Sequence, residues 1–310
     1  MTTGTSITRG QQDQIVDLCK NAGRTAAEAW LKGVELTSED GQSVVERGNE
    51  LSRAISETVT GKLAELSCGL YADEEEESSY EYPPAYGGLK PIREQVKVLA
   101  ALLNLSPDTA MAFIENVLPT RTLPAGAEGW AAIPSIDAVA RHFFPEVKDL
   151  ALRYCRAVNL ILEKIGASRK FENYRKGQIV PERLRMHARA AHAFDLLAME
   201  QNGDILIVAV QFGKRHRGRS VRRARELMCG KEFPLGAFAV GCMLLTHPER
   251  EVVWEQLHVD CAGDEFAPGA VGAFSYAPFF NFGGGRLKFG TSFASGADPR
   301  YGSASVFLLQ

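Results

Sequence analysis

The first 70 residues show apolar positions that recur with the period of a helix. Thr8 and Gln11 have capping-box spacing, and the apolar stripe behind them is Ile15, Leu18, Cys19, Ala22, Ala26 and Trp30. A second stripe, after a start at Thr37 or Ser38, is Val44, Leu51, Ile55, Val59, Leu63 and Leu66. These patterns predict two amphipathic helices that pack on each other or on another surface.

Helical periodicity continues from residue 92 to residue 202. The first helix of this stretch is predicted from Ile92 to Asn104, a residue that tolerates the left-handed conformation of a helix end. Further helices are predicted at 135–144, 145–165 and 181–201. Between them, LPAGAEGWAAIP at 123–134 predicts a turn-rich connector.

After residue 203 the pattern changes. The apolar, β-branched run DILIVAVQF at 204–212 predicts a buried strand, and the apolar run 235–245 predicts a buried strand or core helix. Three glycines at 283–285 predict the turn of a hairpin. We therefore predict an α+β fold, with mostly helical N-terminal two-thirds and a C-terminal α+β domain that contains a mixed or antiparallel sheet.

One segment interrupts the regular patterns. Residues 71–91 contain an acid run at 73–77 and several prolines and glycines, which disfavour helix and strand. We therefore predict four regions: a helical region at 1–70, an acidic linker at 71–91, a helical domain at 92–202 and an α+β domain at 203–310.

Composition narrows the class of protein. The 310 residues are 45% hydrophobic and 24% charged, as expected for a soluble globular chain. The N-terminus lacks a signal-peptide pattern, and the longest apolar run is too short to span a membrane. Six cysteines lie singly, with no CxxC pair, which favours buried thiols in a reducing compartment. We expect a cytoplasmic protein without membrane contact.

Charge is distributed unevenly along the chain. Residues 1–150 carry 13 basic and 23 acidic side chains, and residues 151–230 carry 17 basic and 7 acidic ones. The formal net charge of −3 therefore hides a polarised molecule. Polarity of this kind indicates partners of opposite charge rather than a particular fold.

The densest positive charge lies between the predicted strand and a predicted helix. Its seven cations are Lys214, Arg215, Arg217, Arg219, Arg222, Arg223 and Arg225. Gly213 and Gly218 permit tight backbone, and Ser220 suits a helix N-cap. A basic loop before a helix N-terminus favours phosphate binding, although the spacing matches neither the Walker nor the dinucleotide fingerprint.

A second basic patch is interleaved with aromatic rings. It contains Arg169, Lys170, Phe171, Tyr174, Arg175 and Lys176. Adjacent cations and rings suit a single strand, because the cations neutralise phosphates and the rings stack on bases.

Our leading hypothesis is a non-enzymatic protein that binds the phosphate backbone of nucleic acid, with single strands or RNA favoured. The contacts would come from the seven cations and from Lys170, Phe171, Tyr174 and Arg175. The acid run 73–77 would compete for the same basic surface. This hypothesis calls for no cofactor, no metal and no catalytic residue.

Two alternatives remain open. The segment HVDCAGDE predicts a metal-dependent phosphodiester hydrolase if four side chains converge, namely His258, Asp260, Asp264 and Glu265. A third hypothesis is a scaffold for protein partners, in which the arginine-rich helix is docked on acidic groups and most of its cations are already paired.

Several segments between residues 90 and 310 resemble a family of uncharacterised bacterial proteins. They are LPAGAEGWAAIP, KFENYRKGQI, GDILIVAVQFGKRHRGRSVRRARE, LGAFAVGCMLLTHPER and DCAGDE. The resemblance implies a bacterial cytoplasmic protein, and it implies no fold, activity or ligand.

Overall fold

The structure is a computed structural model, and it describes most of the chain. The described residues are 8–34, 37–48, 51–52, 54–55, 58–59, 62–63, 69–269 and 273–308. The chain divides into two compact units, Met1–Ser67 and Cys68–Gln310.

The first unit contains helices at both predicted starts, but the second helix ends at Glu46, whereas its predicted stripe extends to Leu66. Helix α1 spans Arg9–Gly33 behind a capping box of Thr8 and Gln11, and α2 spans Ser38–Glu46 behind Thr37. Over these two fully described helices, no side chain is buried. The described residues between 51 and 63 are also helical, whereas Leu66 of the predicted stripe lies outside the described residues.

The second unit combines helices with two sheets. Its helices are α3 Ile92–Leu103, α4 Asp108–Asn116, α5 Ile136–Phe143, α6 Leu150–Ser168, α7 Ala188–Gln201, α8 Val221–Leu227 and α9 Ala237–Thr246. Short 3₁₀ turns lie at Leu118–Thr120, Lys214–His216 and Pro248–Arg250. As predicted, Asn104 ends α3 in the left-handed conformation. Among the described residues, no helix is both long enough and apolar enough to cross a bilayer.

The strands form a smaller and a larger sheet. They are β1 Gly129–Pro134, β2 Phe171–Asn173, β3 Leu184–Met186, β4 Ile205–Gln211, β5 Glu232–Pro234, β6 His258–Asp260, β7 Asp264–Phe266, β8 Tyr276–Gly283, β9 Arg286–Phe293, β10 Tyr301–Ser303 and β11 Ser305–Phe307. The smaller sheet has the order β1-β4-β11-β5 and is antiparallel. The larger has the order β10-β6-β8-β7-β3, with β9 paired to β8 and β2 to β9. Parallel and antiparallel pairs occur in it, so the predicted α+β class with mixed or antiparallel sheets is confirmed.

The core lies around β4 and α9. Every residue of β4 is buried, as the apolar run predicted, and the run 235–245 forms the buried helix α9. The glycine-rich hairpin is also confirmed, with Gly283 paired to Arg286 across the turn. Burial on both faces explains why β4 is a continuous apolar run rather than an alternating one.

Two stretches differ from their predicted structure. The predicted connector 123–134 contains β1, which pairs antiparallel with β4, and Ala131, Ala132 and Ile133 are fully buried there. The predicted helix from residue 181 begins only at Ala188, because Leu184–Met186 pairs with β7 as β3. In both places a distant partner strand, absent from the local pattern, determines the structure.

The structure divides the chain elsewhere than predicted. Residues 92–202 and 203–310 belong to one unit, because β1 pairs with β4 and α6 packs against α9 across the predicted boundary. Residues 71–91 belong to this unit as well. They lie along it as a segment with few regular elements.

Candidate nucleic-acid interface

The basic segment, residues 214–225, leaves the end of β4 and leads into α8. The hydroxyl of Ser220 caps this helix by accepting a hydrogen bond from the backbone N–H of Arg223 at 3.0 Å. Val221 and Ala224 are buried and hold α8 against the unit. The segment therefore has two parts, a loop that ends at residue 219 and a short anchored helix.

The acid run lies directly against this loop. We call residues 73–81 the acidic strap. The N–H of Glu76 donates to the carbonyl of Gly218 at 2.6 Å, and the N–H of Ser220 donates to the carbonyl of Glu74 at 3.0 Å. Gly218 has a φ of +70°, and a Cβ there would lie 2.1 Å from the carbonyl oxygen of Glu76. Only glycine permits this close approach.

Two strap carboxylates pair with three arginines. Glu74 binds Arg222, and Glu75 lies 2.5 Å from Nε of Arg223 and 3.5 Å from Nε of Arg219. The hydrogen bond from Arg223 holds the pKa of Glu75 below its usual value. The strap therefore neutralises charge on both the loop and the helix.

A third strap carboxylate, that of Glu81, pairs with two cations at the start of the loop. Glu81 lies 2.5 Å from Nη1 of Arg217 and also pairs with Nζ of Lys214. The hydrogen bond from Lys214, followed by that from Arg217, lowers the pKa of Glu81. Two cations thus share one exposed carboxylate.

The two remaining cations find partners elsewhere in the unit. Nε of Arg215 lies 3.1 Å from the buried carboxylate of Glu232. The guanidinium of Arg225 donates to the carbonyl of Ala262 at 2.7 Å and to that of Asp264 at 2.6 Å, and burial lowers its pKa to about 10. All seven cations therefore have partners within the chain, which is the pairing that the scaffold hypothesis expects.

The loop nevertheless lines an open, basic cleft of about 590 Å³. The basic cleft is lined by Ser78, Gly126, Glu128, Lys214, Arg215, Arg217 and Arg219. We call its four basic residues the cleft cations; their side chains are 29% to 49% exposed. Glu128, the one acid among the described residues that line the cleft, accepts a hydrogen bond from the hydroxyl of Tyr82 at 2.6 Å.

The two arginines of the second basic patch bind groups within the fold, whereas its two lysines are exposed. Arg169 donates to the carbonyl of Pro248 at 2.7 Å and to that of Glu251, and burial lowers its pKa. The guanidinium of Arg175 lies 5.3 Å from the ring of Phe266. Lys170 contributes its carbonyl to the backbone N–H of Leu287, and Phe171 is half-buried in β2.

Tyr174 is also exposed, over 51% of its surface. It follows Asn173, whose register continues through Phe289, Phe280 and Val259 to Gly302. Four strand spacings along this row amount to about 19 Å. The two patches therefore lie at opposite ends of one sheet and do not form one contiguous basic patch.

The structure does not assemble the predicted hydrolase site. His258 is fully buried, with Nδ1 2.9 Å from the carboxylate of Glu251. Asp264 is also fully buried and accepts a hydrogen bond from the hydroxyl of Tyr154 at 2.5 Å. Each side chain is held by a protein partner instead of facing an open cleft.

The other two residues of the predicted hydrolase site, Glu265 and Asp260, do not complete a shared site with His258 and Asp264. Glu265 pairs with Nε of Arg185 at 2.7 Å, and burial raises the pKa of Asp260 to about 7. Among the described residues, no three His, Cys, Asp or Glu side chains form a group that could hold a metal ion. The convergence that the hydrolase hypothesis requires is therefore absent from the described part of the chain.

No family model, curated protein or solved structure matches the chain. The resemblance to a bacterial family stays a prediction.

Three acids in or beside the cleft carry no sequence signal. Glu81 lies outside the acid run, Glu128 lies in the predicted connector, and Glu232 follows the basic segment. Glu81 and Glu232 reach the cleft cations through the tertiary fold, which also places Glu128 in the lining. Of the acids near the basic segment, only the run 73–77 could be predicted from the sequence, because its charge complements that segment.

Proposed function

We propose that this protein is a non-enzymatic, nucleic-acid-associated protein that binds a phosphate backbone in the basic cleft. The observation that carries the proposal is that four cations of one loop line a single open cleft. This set is smaller than the seven cations expected from the sequence, since α8 holds the other three against the unit.

The cleft cations lie among a similar number of carboxylates. Lys214 and Arg217 share the exposed Glu81, Arg219 lies beside Glu75, and Arg215 pairs with Glu232. A fourth acid, Glu128, is part of the lining itself. A ligand with several phosphates would therefore bind by exchanging with these carboxylates.

The chemistry favours phosphates of a polymer over a small enclosed ligand. Three of the four cleft cations are arginines, whose guanidinium groups form bidentate bonds with phosphate oxygens. The cleft is open to solvent, so a polymer can enter and leave it. Among the described lining residues there is no aromatic ring, so the cleft itself suits the backbone rather than the bases.

The acidic strap gives the site a built-in competitor. Carboxylates of Glu75 and Glu81 occupy hydrogen-bonding groups of Arg217, Arg219 and Lys214 that a phosphate would use. Because the strap is part of the same chain, its local concentration is high. Nucleic acid would bind only by displacing these carboxylates, which selects for ligands with several adjacent phosphates.

The three arginines of α8 support a different role. Arg223 and Arg225 expose only 15% and 13% of their side chains, and Arg222 is held by Glu74. This pairing favours stabilisation of the fold over contact with a partner. The scaffold hypothesis expected the arginine-rich helix to be docked on acidic groups. The pairing of α8 supports that docking, with the acidic groups in the same chain.

Fluorescence anisotropy with labelled single-stranded RNA, single-stranded DNA and duplex DNA over a salt series tests the proposal. Four neutralised phosphates of a single strand predict a log–log slope of about −3. In the double variant Lys214→Gln, Arg217→Gln, the slope should fall to about −1.5 and the affinity should fall about tenfold. These two substitutions remove exposed side chains and leave the buried Glu232 paired.

A matched control makes the same change of charge elsewhere. Arg141 and Arg156 are exposed arginines in surface ion pairs with Asp204 and Glu146. The variant Arg141→Gln, Arg156→Gln should leave affinity and slope nearly unchanged. Absence of binding by the native protein at low salt would refute the proposed function, and equal losses in the two variants would refute the cleft as the site.

A further inference from the structure

One acid lies in the basic cleft without a cationic partner. Glu75, Glu81 and Glu232 each pair with at least one of the cleft cations. Glu128 lines the same cleft, but its carboxylate forms no ion pair with the described residues. It accepts a hydrogen bond from a neutral group instead, the hydroxyl of Tyr82, at 2.6 Å. An unpaired negative charge works against phosphate binding, so its place in this cleft requires a reason.

The backbone fixes Glu128 beside the basic segment. Glu128 immediately precedes β1, and its N–H donates to the carbonyl of Val210 at 2.7 Å. Val210 is the second-last residue of β4, from whose end the basic segment leaves. The pairing of β1 with β4 therefore sets the acid next to the start of the loop that carries the cleft cations. Strands position a side chain more precisely than a free loop does.

Tyr82 holds the side chain of Glu128 in place. Its hydroxyl accepts the backbone N–H of Lys214 at 3.0 Å and donates its one proton to Glu128. The guanidinium of the buried Arg250 lies 4.1 Å from the centre of the Tyr82 ring and holds that ring in turn. The position of the carboxylate is therefore set before a ligand arrives.

The carboxylate of Glu128 keeps unused capacity to accept hydrogen bonds. A carboxylate accepts about four of them. Within the described residues, the donors are the hydroxyl of Tyr82 and the backbone N–H of Phe212. Glu128 is exposed in the cleft, so a ligand can reach the remaining positions. Such a ligand must supply a donor, because a phosphate oxygen is itself an acceptor.

A phosphate has a binding group close to this carboxylate. Arg215 packs against Gly126, where a Cβ would lie 2.5 Å from Nη1 of Arg215. Nε of Arg215 is paired with Glu232, whereas its two Nη atoms donate to no described residue. Gly126 and Glu128 are two residues apart, so their Cα atoms are separated by about 7 Å at most. This separation suits two adjacent groups of one nucleic-acid backbone.

The ribose hydroxyl is the donor of a nucleic acid that suits this place. The 2′-hydroxyl lies on the backbone beside the phosphates, and it is both a donor and an acceptor. No aromatic ring is among the described residues that line the cleft, so none of them stacks on a base. Deoxyribose has no 2′-hydroxyl, and a DNA strand would leave the carboxylate without a donor next to its phosphates.

We propose that Glu128 accepts a hydrogen bond from a ribose 2′-hydroxyl, so that the basic cleft binds RNA in preference to DNA. The cleft cations bind the phosphates, and Glu128 distinguishes the sugar. A site built to bind a hydroxyl rejects an analogue without it, because a polar group of the site then stays unpaired. The inference rests on the proposed function, since it names the sugar of the strand whose phosphates occupy the cleft.

The test compares three labelled probes of about ten nucleotides that carry the same base. They are an oligouridylate, an oligodeoxyuridylate and a 2′-O-methyl oligouridylate. Native protein should bind the oligouridylate about tenfold more tightly than the oligodeoxyuridylate. The 2′-O-methyl strand keeps the sugar conformation of RNA but has no donor at the 2′ position. It should therefore bind no more tightly than the oligodeoxyuridylate.

The variant Glu128→Gln removes the charge and keeps an acceptor for the hydroxyl of Tyr82. It loses the charge-assisted bond to ribose and repels phosphates less, so the affinity for the deoxy strand should rise relative to that for the ribo strand. The ratio of the two affinities should fall from about tenfold to about twofold.

Glu81→Gln is the matched control. It makes the same change of charge on the strap carboxylate that pairs with Lys214 and Arg217. Because Glu81 competes with the phosphates that both strands share, Glu81→Gln should raise the two affinities by a similar factor. The ratio of ribo to deoxy affinity should therefore stay at about tenfold.

The outcomes separate the two proposals. Equal binding of the ribo and deoxy strands by the native protein overturns RNA preference while the phosphate cleft stands. Failure of the native protein to bind any of the probes at low salt overturns the proposed function and this inference together. An unchanged ratio in Glu128→Gln, an equal fall in Glu81→Gln, or binding of the 2′-O-methyl strand as tight as that of the oligouridylate also overturns the role of Glu128.

Discussion

The two parts of the basic segment carry the same kind of side chain and meet different surroundings. The loop cations are 29% to 49% exposed, whereas Arg223 and Arg225 on α8 are 15% and 13% exposed; Arg222, at the start of α8, is 33% exposed and resembles the loop. The loop rests on a glycine-based backbone beside a cleft. The helix is anchored by Val221 and Ala224, which brings its arginines against the unit.

This difference shows that density of charge alone does not locate a binding site. A short helix with a buried stripe places the flanking arginines next to backbone carbonyls and carboxylates, where they complete hydrogen bonds of the fold. A loop with no such stripe leaves its cations partly solvated. The expected effects of substitution therefore differ in kind between the two parts.

The largest expected effect is a loss of stability in the helix part. Arg225→Ala should lower the free energy of unfolding by about 3 kcal/mol, because the buried carbonyls of Ala262 and Asp264 lose their donor. Lys214→Ala should cost under about 1 kcal/mol, as expected for an exposed ion pair. Urea unfolding measures both. Equal losses would remove the distinction between loop and helix.

A smaller effect is expected on affinity when the strap is weakened. Glu75→Gln with Glu81→Gln should raise affinity for single-stranded nucleic acid about fivefold, equivalent to about 1 kcal/mol, since phosphates no longer displace these carboxylates. The control is Glu115→Gln with Glu146→Gln, two exposed acids in ion pairs outside the cleft. A similar gain in the control would attribute the effect to net charge and not to the strap.

The smallest expected effect is the dependence of stability on pH. The pKa values of Glu75 and Glu81 are lowered by their basic partners, so their contribution is complete above about 4.5 and is lost as pH falls through the lowered values. Both carboxylates are largely solvated. In Glu75→Gln, the loss of unfolding free energy at acid pH, measured by urea unfolding, should therefore be smaller by less than about 1 kcal/mol.

The contribution of Asp260 to the free energy of unfolding should change with pH in the opposite direction. Burial raises its pKa from 3.8 to about 7, so its contribution is complete below about pH 4 and is lost as pH rises through 7. The free energy of unfolding should therefore fall less between pH 4 and pH 7 in Asp260→Asn than in the native protein. An unchanged profile in that variant would show that Asp260 is ionised in the folded protein.

Prediction from the sequence succeeded where the cause is local. The capping box at Thr8, the left-handed Asn104 and the apolar run of β4 all depend on neighbouring residues or on uniform burial. Prediction was wrong for β1 and β3, because a short strand takes its structure from a partner far away in the chain. For the same reason, the roles of Glu81 and Glu232 could not be predicted, since their contacts with the cleft cations depend on the fold.

By itself, the sequence determined the helical caps, the buried central strand, the glycine turn and the presence of complementary acidic and basic segments. Only the tertiary structure decided that four of the seven cations line a cleft while three complete the fold. Local propensity and charge act over a few residues, whereas exposure and convergence are set by strand pairing between residues far apart in the chain.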